Sequence, residues 1–263
     1  MRNLFSVLCA AALLLSGCAP AAAQPAALTV LAAASLTEPF TALGQQFETD
    51  HPGVTVQFNF AGSQQLAAQL AQGAPADVFA AASTKTMQAA VDAGRIQSAA
   101  VQNFASNRLV IITTRANPAG LQSLDQLARP GLKLNLPASE VPAGMYALQV
   151  FTNAAADPAF GADFSERVLK NVVSYEQNVK AVVTKVSLGE VDAGLVYASD
   201  ARSARDQVAV IEIPAAFNIS AVYPAAVVAD SPAPQLAADF LTLLQSPAGQ
   251  AVLASYGFLP AAE

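Results

Sequence analysis

The chain has 263 residues, of which only 12% are charged, and its 19 acidic residues outnumber its 13 basic residues for a formal net charge of −6. An acidic chain without a Lys/Arg cluster is not expected to bind nucleic acid. One histidine and two cysteines, Cys9 and Cys18, leave too few side chains for a transition-metal site. The length is sufficient for one or two domains held by a hydrophobic core without disulfides.

The start of the chain has the pattern of an export signal. A short positive start precedes the apolar run Leu4 to Leu15, which is too short to span a bilayer as a permanent helix. The run ends in LSGC, which resembles the lipobox of bacterial lipoproteins and implies cleavage before Cys18 and a lipid on that residue. We therefore expect a signal peptide at 1–17 and a lipidated tether at 18–27. Ordinary cleavage after Ala23 would instead leave a free protein.

Strand and helix patterns alternate along the rest of the chain. Apolar runs and period-two alternation predict strands at 28–34, 54–60, 77–81, 109–114, 133–136, 193–197 and 223–229. Helical periodicity with caps and breakers predicts helices after Ser35 and at 63–72, 84–94, 143–155, 164–170, 178–188, 234–245 and 248–256. This alternation is typical of an α/β fold with largely parallel sheets covered by helices.

Several strand-to-helix junctions carry small or hydroxyl-bearing residues, and ligands of parallel α/β sheets bind at such junctions. Ser35 and Ser63 stand at predicted helix starts, and Ala143 and Val179 begin two more helices. Tyr197 supplies a phenolic hydroxyl at the end of a strand. The N–H groups of a first helical turn lack internal partners and carry partial positive charge. The junctions therefore predict an anion site made of neutral donors.

Each of these residues also has a purely structural interpretation. Ser35 and Glu38 have the spacing of a capping box, although Pro39 would remove an N–H from the first turn. Ser63 fits another helix cap, and Tyr197 fits a core residue whose hydroxyl is satisfied nearby. Taken singly, the residues leave both interpretations open.

A resemblance to a known family favours the anion site. The chain resembles the molybdate-binding proteins of bacterial ABC importers, a branch of the periplasmic binding proteins. The matching stretches are AAASL (32–36), FAGSQQLAAQL (60–70), GAPADVFAAAS (73–83), VPAGMYA (141–147), NVKAVVTKVSLGEVDAGLVYASDA (178–201), YPAAVV (223–228) and YGF (256–258). They follow one another in the expected order and span nearly the whole mature chain.

The resemblance implies a two-lobed fold of type II topology, in which each lobe is a mostly parallel sheet flanked by helices and two hinge crossings join the lobes. Lobe 1 would comprise 28–107 and 223–263, and lobe 2 would comprise 108–222. The ligand residues carried over by position are Ser35, Ser63, Ala143, Val179 and Tyr197. The two serines would each give a hydroxyl and a backbone N–H, the alanine and valine a backbone N–H, and the tyrosine its hydroxyl.

The function implied is that of an exported receptor, anchored by lipid at the outer face of the cell membrane or free in the periplasm. It would act as a monomer without a cofactor, bind molybdate or tungstate, and deliver the ion to an ABC permease. Molybdate carries no proton at neutral pH, so a site of donors alone can satisfy every oxygen. Phosphate keeps a proton that such a site would leave unpaired. Two acidic residues near the motifs, Glu140 and Glu176, are interpreted as solvated.

Three other functions compete with this one: an enzyme, a receptor for another solute, and a purely structural envelope lipoprotein, the last of which would not explain why the helix starts coincide with the ligand motifs. A serine hydrolase would need a Gly-x-Ser-x-Gly elbow and a histidine base, but His51 lies in a predicted turn before Pro52-Gly53. No Walker A loop or Gly-x-Gly-x-x-Gly fingerprint is present, so we do not expect an enzyme. A receptor for sulfate or an organic acid is the alternative within the same fold. An organic acid would call for a guanidinium in the site, whereas Arg108 and Arg115 are interpreted as hinge or surface residues.

Overall fold

The computed structural model describes residues 26–261. The predicted signal peptide and the predicted lipidation site, Cys18, lie outside the described residues. Ala26 and Ala27, which the sequence assigns to the tether, are the first residues of a strand. In the described part of the chain, no helix is both long and apolar enough to cross a membrane.

The first of two five-stranded sheets collects strands from both ends of the described chain. Its strands are β1 (Ala26–Ala33), β2 (Val54–Ala61), β3 (Val78–Ala80), β4 (Gln102–Asn107) and β10 (Ala221–Val227). They are ordered β2-β1-β3-β10-β4. The strands β1, β2 and β3 run parallel, and β10 is antiparallel to both of its neighbours.

The second sheet is formed by the middle of the chain. Its strands are β5 (Leu109–Thr114), β6 (Leu134–Pro137), β7 (Val172–Glu176), β8 (Ala193–Tyr197) and β9 (Val208–Glu212). They are ordered β7-β6-β8-β5-β9, with β6 parallel to β7 and β8, and β5 antiparallel to β8 and β9.

The fold class is confirmed, and both sheets are mixed, since in each sheet one strand runs opposite to the other four. The reason is the path between them. Strand β5 is the first strand after the chain crosses to the second sheet, and β10 is the first after it returns. Each lies inside its sheet and runs antiparallel to both neighbours. The chain leaves the first sheet between Asn107 and Leu109 and returns between Glu212 and Ala221.

Helices cover the two sheets. Four helices pack on the first sheet and a fifth, α9, packs on α1 and α8; they are α1 (Thr37–Asp50), α2 (Ser63–Ala71), α3 (Thr84–Asp92), α8 (Pro234–Gln245) and α9 (Pro247–Ser255). The helices that accompany the second sheet are α4 (Pro142–Ala155), α5 (Phe164–Leu169), α6 (Val179–Ser187) and α7 (Ala198–Ser203). We call the first sheet with its helices lobe 1 and the second with its helices lobe 2.

Successive side chains of β1 point to opposite faces of the first sheet, and helices cover both faces. Leu28 and Val30 point into a cluster with Phe40 of α1 and Phe240 of α8. Leu31 points the other way, into a second cluster formed with α2 and α3. A strand buried on both faces reads as a continuous apolar run, and this run ends at the alanines that precede Ser35.

The crossings between the lobes are tied together by one side chain. Asn218, in the returning segment, accepts a hydrogen bond from the Leu109 N–H at 3.2 Å and donates to the Leu109 carbonyl at 2.8 Å. The outgoing crossing is held by Asn107, whose amide donates to Ser199 Oγ at 2.8 Å. The outgoing crossing therefore enters lobe 2, and the returning crossing leaves it, next to the junction of β8 and α7.

Candidate functional site

The structure brings all five sequence-predicted ligand residues to one small cavity between the lobes. The lining residues are Ala33, Ala34, Ser35, Gly62, Ser63, Ala82, Val141, Pro142, Ala143, Asn178, Val179 and Tyr197. None of these lining side chains is charged. The cavity volume is about 10 Å³, far below the ~300–1,000 Å³ of pockets that hold drug-sized molecules. The cavity suits a small ligand that is held by neutral groups.

Ser35 is not the cap of α1, so the capping-box interpretation is wrong. A 3₁₀ turn, Ala34–Leu36, separates β1 from α1 and makes Leu36 the residue before the helix. The Ser35 hydroxyl makes no capping bond and instead lies 2.9 Å from the hydroxyl of Tyr223 in β10. The extra turn therefore directs the buried hydroxyl of Ser35 toward the cavity and not along its own helix.

The interpretation of Ser63 as a helix cap is also wrong. The cap of α2 is Gly62, whose N–H donates to the side chain of Gln65 at 3.2 Å. Ser63 is the first helical residue, and its Oγ accepts a hydrogen bond from the Ala82 N–H at 3.0 Å. Because an amide N–H can only donate, this bond leaves the hydroxyl proton of Ser63 available for an acceptor in the cavity.

Lobe 2 contributes the first turns of two helices. Val141 precedes α4, and Pro142 opens it, a position where the missing N–H of proline costs nothing. Ala143 follows in the same turn. At α6 the side chain of Asn178 accepts from the Ala181 N–H at 3.1 Å. The N–H of Val179 has no partner within its helix, so both helix starts present backbone donors to the cavity.

Two buried tyrosines, Tyr197 and Tyr223, contact each other at the site. Tyr197 is 1% exposed, and its ring meets that of Tyr223 in a T-shaped contact with the centroids 5.6 Å apart. Burial raises the pKa of both hydroxyls well above 10, so both keep their protons and remain donors. The Tyr197 hydroxyl makes a long contact, 3.5 Å, with the Ala82 carbonyl. Tyr223 was not among the predicted site residues, although the stretch YPAAVV begins with it.

The two glutamates near the motifs have different environments. Glu140 is exposed as expected and does not line the cavity. The interpretation of Glu176 as solvated is wrong, because its side chain is only 14% exposed and lies 2.6 Å from Lys185 Nζ. Burial alone would raise its pKa, but hydrogen bonds from Lys185, Asn135 and Ser174 lower it overall. Glu176 also does not line the cavity, so neither carboxylate faces a bound anion.

The remaining charged or titratable candidates lie elsewhere. Arg108 pairs with Glu212 beside the crossings, and Arg115 donates to the carbonyl of Arg205. His51 ends α1, where its ring stacks on Phe47 at 4.0 Å. None of Arg108, Arg115 and His51 lines the cavity.

Two lobes that enclose a small cavity lined by neutral donors define a solute-binding protein. The chain belongs to the family of bacterial extracellular solute-binding proteins, since the model of that family matches residues 28–259. A relative is the molybdate-binding protein ModA of Mycobacterium tuberculosis, which is 38% identical over 263 residues, or 97% of this chain and 96% of the relative. The resemblance to molybdate-binding proteins seen in the sequence is thus confirmed.

Solved structures show the same fold. The periplasmic molybdate-binding protein of Azotobacter vinelandii superposes with a TM-score of 0.76 at 20% identity, over 89% of this chain and 100% of the other. The sulfate-binding protein SubI of Mycobacterium tuberculosis gives a TM-score of 0.80 at 19% identity, over 89% of this chain and 87% of the other. At these identities the likeness establishes the fold and leaves the choice of ligand to the site.

Proposed function

We propose that the chain is an extracytoplasmic receptor that binds molybdate or tungstate between its lobes and delivers it to an ABC permease without breaking a bond. The observation that carries the proposal is the meeting of donors from four helix starts and one strand end around a single uncharged cavity. The extensive identity to a protein named for molybdate binding supports the same ligand.

The ligand residues are proposed to act as follows. Ser63 Oγ accepts from Ala82 and donates its proton to an oxygen of the anion. Either of the Ser35 and Tyr223 hydroxyls can donate to the other, and with Tyr223 as the donor the proton of Ser35 is directed to the anion. From lobe 2, Ala143 and Val179 supply backbone N–H groups, and Tyr197 supplies a neutral hydroxyl. Because the ligand makes more hydrogen bonds when the lobes are closed, it stabilises the closed form.

The location and organisation of the protein are part of the proposal. The chain would be exported, with lipid at Cys18 or as a free periplasmic protein, and would act as a monomer. Lobe 1 would comprise 28–107 and 223–263, and lobe 2 would comprise 108–222; strand β10 of the first sheet begins slightly earlier, at Ala221. The relatives are solute-binding proteins, and we propose that this chain likewise catalyses no reaction.

A thermal-shift series on the protein without its signal peptide tests the ligand. Molybdate or tungstate far above its dissociation constant should stabilise the fold by about 3–4 kcal/mol, which for a chain of this size raises the melting temperature by about 6–16 °C. Sulfate, phosphate and chloride should give no comparable shift. A shift with sulfate or phosphate alone would retain the fold but contradict the proposed ligand.

The role of Tyr223 can be tested by Tyr223→Phe, which removes the hydroxyl next to Ser35. We expect the Kd for molybdate to rise about fivefold, because a neutral hydrogen bond that orients the ligand group contributes ~1 kcal/mol. Tyr175→Phe is the matched control, since Tyr175 is exposed and outside the cavity. Isothermal titration that finds equal affinities for both variants would show that Tyr223 does not orient Ser35.

A further inference from the structure

Three charged residues lie behind the cavity, each close in sequence to a proposed ligand residue. Glu38 follows Ser35 in α1, Lys180 follows Val179 in α6, and Asp200 follows Tyr197 in α7. Lys180 Nζ lies 2.6 Å from Glu38 Oε2 and 3.3 Å from Asp200 Oδ1. Glu38 belongs to lobe 1 and the other two to lobe 2, so the ammonium of Lys180 joins the lobes.

Asp200 is the unusual member of this group. It is 1% exposed, and neither of its carboxylate oxygens has a well-aligned hydrogen-bond donor among the described residues. Lys180 is the cation that compensates its charge and is shared with Glu38, with a smaller contribution from the backbone of Tyr197. A buried carboxylate with so little compensation is costly to keep ionised.

The groups that face Asp200 come from several elements. Lys180 approaches from α6 and Glu38 from α1, while the hydroxyl-bearing rings of Tyr197 and Tyr223 approach from β8 and β10. On the side of β5 and β9, Arg108 pairs with Glu212 and not with Asp200. Lys180 is therefore the one cation among these groups that pairs with Asp200.

We propose that Lys180 is a positioning residue for lobe closure and that Asp200 takes up a proton when the oxyanion binds. The inference rests on the proposed function, because it requires an anion between the lobes. When the lobes close, Glu38 pairs with the ammonium of Lys180. In the open form this ammonium would pair with Asp200 alone. The bound dianion adds further negative charge on the other side of Tyr197.

The direction of the pH dependence follows from these charges. Burial raises the pKa of Asp200 to about 6, Lys180 opposes this rise, and Glu38 adds to it. In an open form, without Glu38 and the anion and with more water, the pKa of Asp200 is lower. A group with a higher pKa in the closed form favours closure as the pH falls. The affinity should therefore increase below about pH 6 and level off once Asp200 is protonated in both forms.

Isothermal titration with sodium molybdate tests the proton uptake. Titrations near pH 6 in two buffers of different ionisation enthalpy should show proton uptake by the native protein, and the Kd should be about threefold or more lower at pH 5.5 than at pH 7.5. Asp200→Asn should abolish both effects. Glu38→Gln changes a partly exposed side chain, is expected to fold normally, and should reduce both effects.

Variants of Lys180 test its positioning role. Lys180→Met should weaken molybdate binding about tenfold or more, because Glu38 and Asp200 then repel each other as the lobes close. Lys180→Arg should restore most of the affinity. Glu176→Gln is the matched control, because it breaks a Lys–Glu pair of the same 2.6 Å length that lies wholly within lobe 2; its pH profile should equal that of the native protein.

The possible failures are distinguishable. Binding of molybdate without proton uptake, or equal uptake by Asp200→Asn, would overturn the inference about Asp200 while leaving the receptor function intact. Unchanged affinity in Lys180→Met would overturn the positioning role. Absence of binding by the native protein at both pH values would overturn the proposed function and this inference together.

Discussion

The double variant Ser35→Ala/Ser63→Ala should lose at least about a hundredfold in affinity for molybdate. Each hydroxyl is proposed to donate to a charged oxygen, and a hydrogen bond to a charged group contributes ~1.5–3 kcal/mol. Two such losses correspond to about 10²–10⁴ in Kd. Isothermal titration of the double variant and of both single variants measures the effect, and each single variant should fall between the native protein and the double variant.

The loss of affinity has to be separated from a loss of stability, because Ser63→Ala also removes the acceptor of the buried Ala82 N–H. Ser83→Ala is the matched control. Ser83 is a buried serine of the same lobe that caps α3 by accepting from Thr86 N–H, and it does not line the cavity. Its loss should cost about 1 kcal/mol of stability and leave the Kd unchanged. Native-like affinity of the double variant would show that the hydroxyls are not ligands.

The second large effect is expected for Gly62→Ala, which should weaken molybdate binding about tenfold or more without a comparable loss of stability. A Cβ at Gly62 would lie 2.4 Å from the backbone carbonyl oxygen of Gln177 in the opposite lobe. It would also displace the side chain of Gln64, which donates to the same oxygen at 3.1 Å. The clash with Gln177 exists only when the lobes are closed, whereas the flexible side chain of Gln64 can move aside within lobe 1; overpacking against a backbone atom costs ~1–3 kcal/mol.

The unliganded protein should tolerate the change at Gly62. Its φ of −59° is open to alanine, and the smaller unfolded-state entropy of alanine offsets its poorer capping. Gly144→Ala provides the contrast, since a Cβ there would lie 2.0 Å from the Ala138 carbonyl oxygen within lobe 2. That variant should lower the melting temperature by about 2–12 °C. Equal destabilisation by the two variants would contradict an interlobe role for Gly62.

Local sequence patterns predicted much of the fold. The run LVIITT and the stretch AGLVY predicted the bounds of β5 and β8 as observed, because LVIITT lies between two arginines and AGLVY begins after an aspartate. Three strands, β4, β7 and β9, were missed. The stretch QNFASN of β4 begins with two exposed polar residues, and it is a strand because it pairs with β10. The strands β7 and β9 are short edge strands whose five residues carry too little periodicity.

The site was predictable only in part, for a related reason. Helix starts are local features, so the donors at Ala143 and Val179 follow from caps and small residues. The partners of the hydroxyls are not local. Ser35 meets Tyr223 across 188 positions of the chain, and Lys180 meets Glu38 across 142. The first pair depends on where β1 and β10 lie in one sheet, and the second depends on how the two lobes are placed; no short stretch of sequence specifies either.

The two hydrogen bonds between Asn218 and Leu109 should restrict how the lobes can move. Two unlinked connections would let one lobe twist and slide against the other. Here the segment that contains Asn218 is joined to the start of β5, so we expect the two connections to bend together about a single axis. Motion along one coordinate leaves few open arrangements, and the entropy lost on closing is correspondingly small. Hydrogen bonds to a ligand with only a few oxygens are then sufficient to stabilise the closed form.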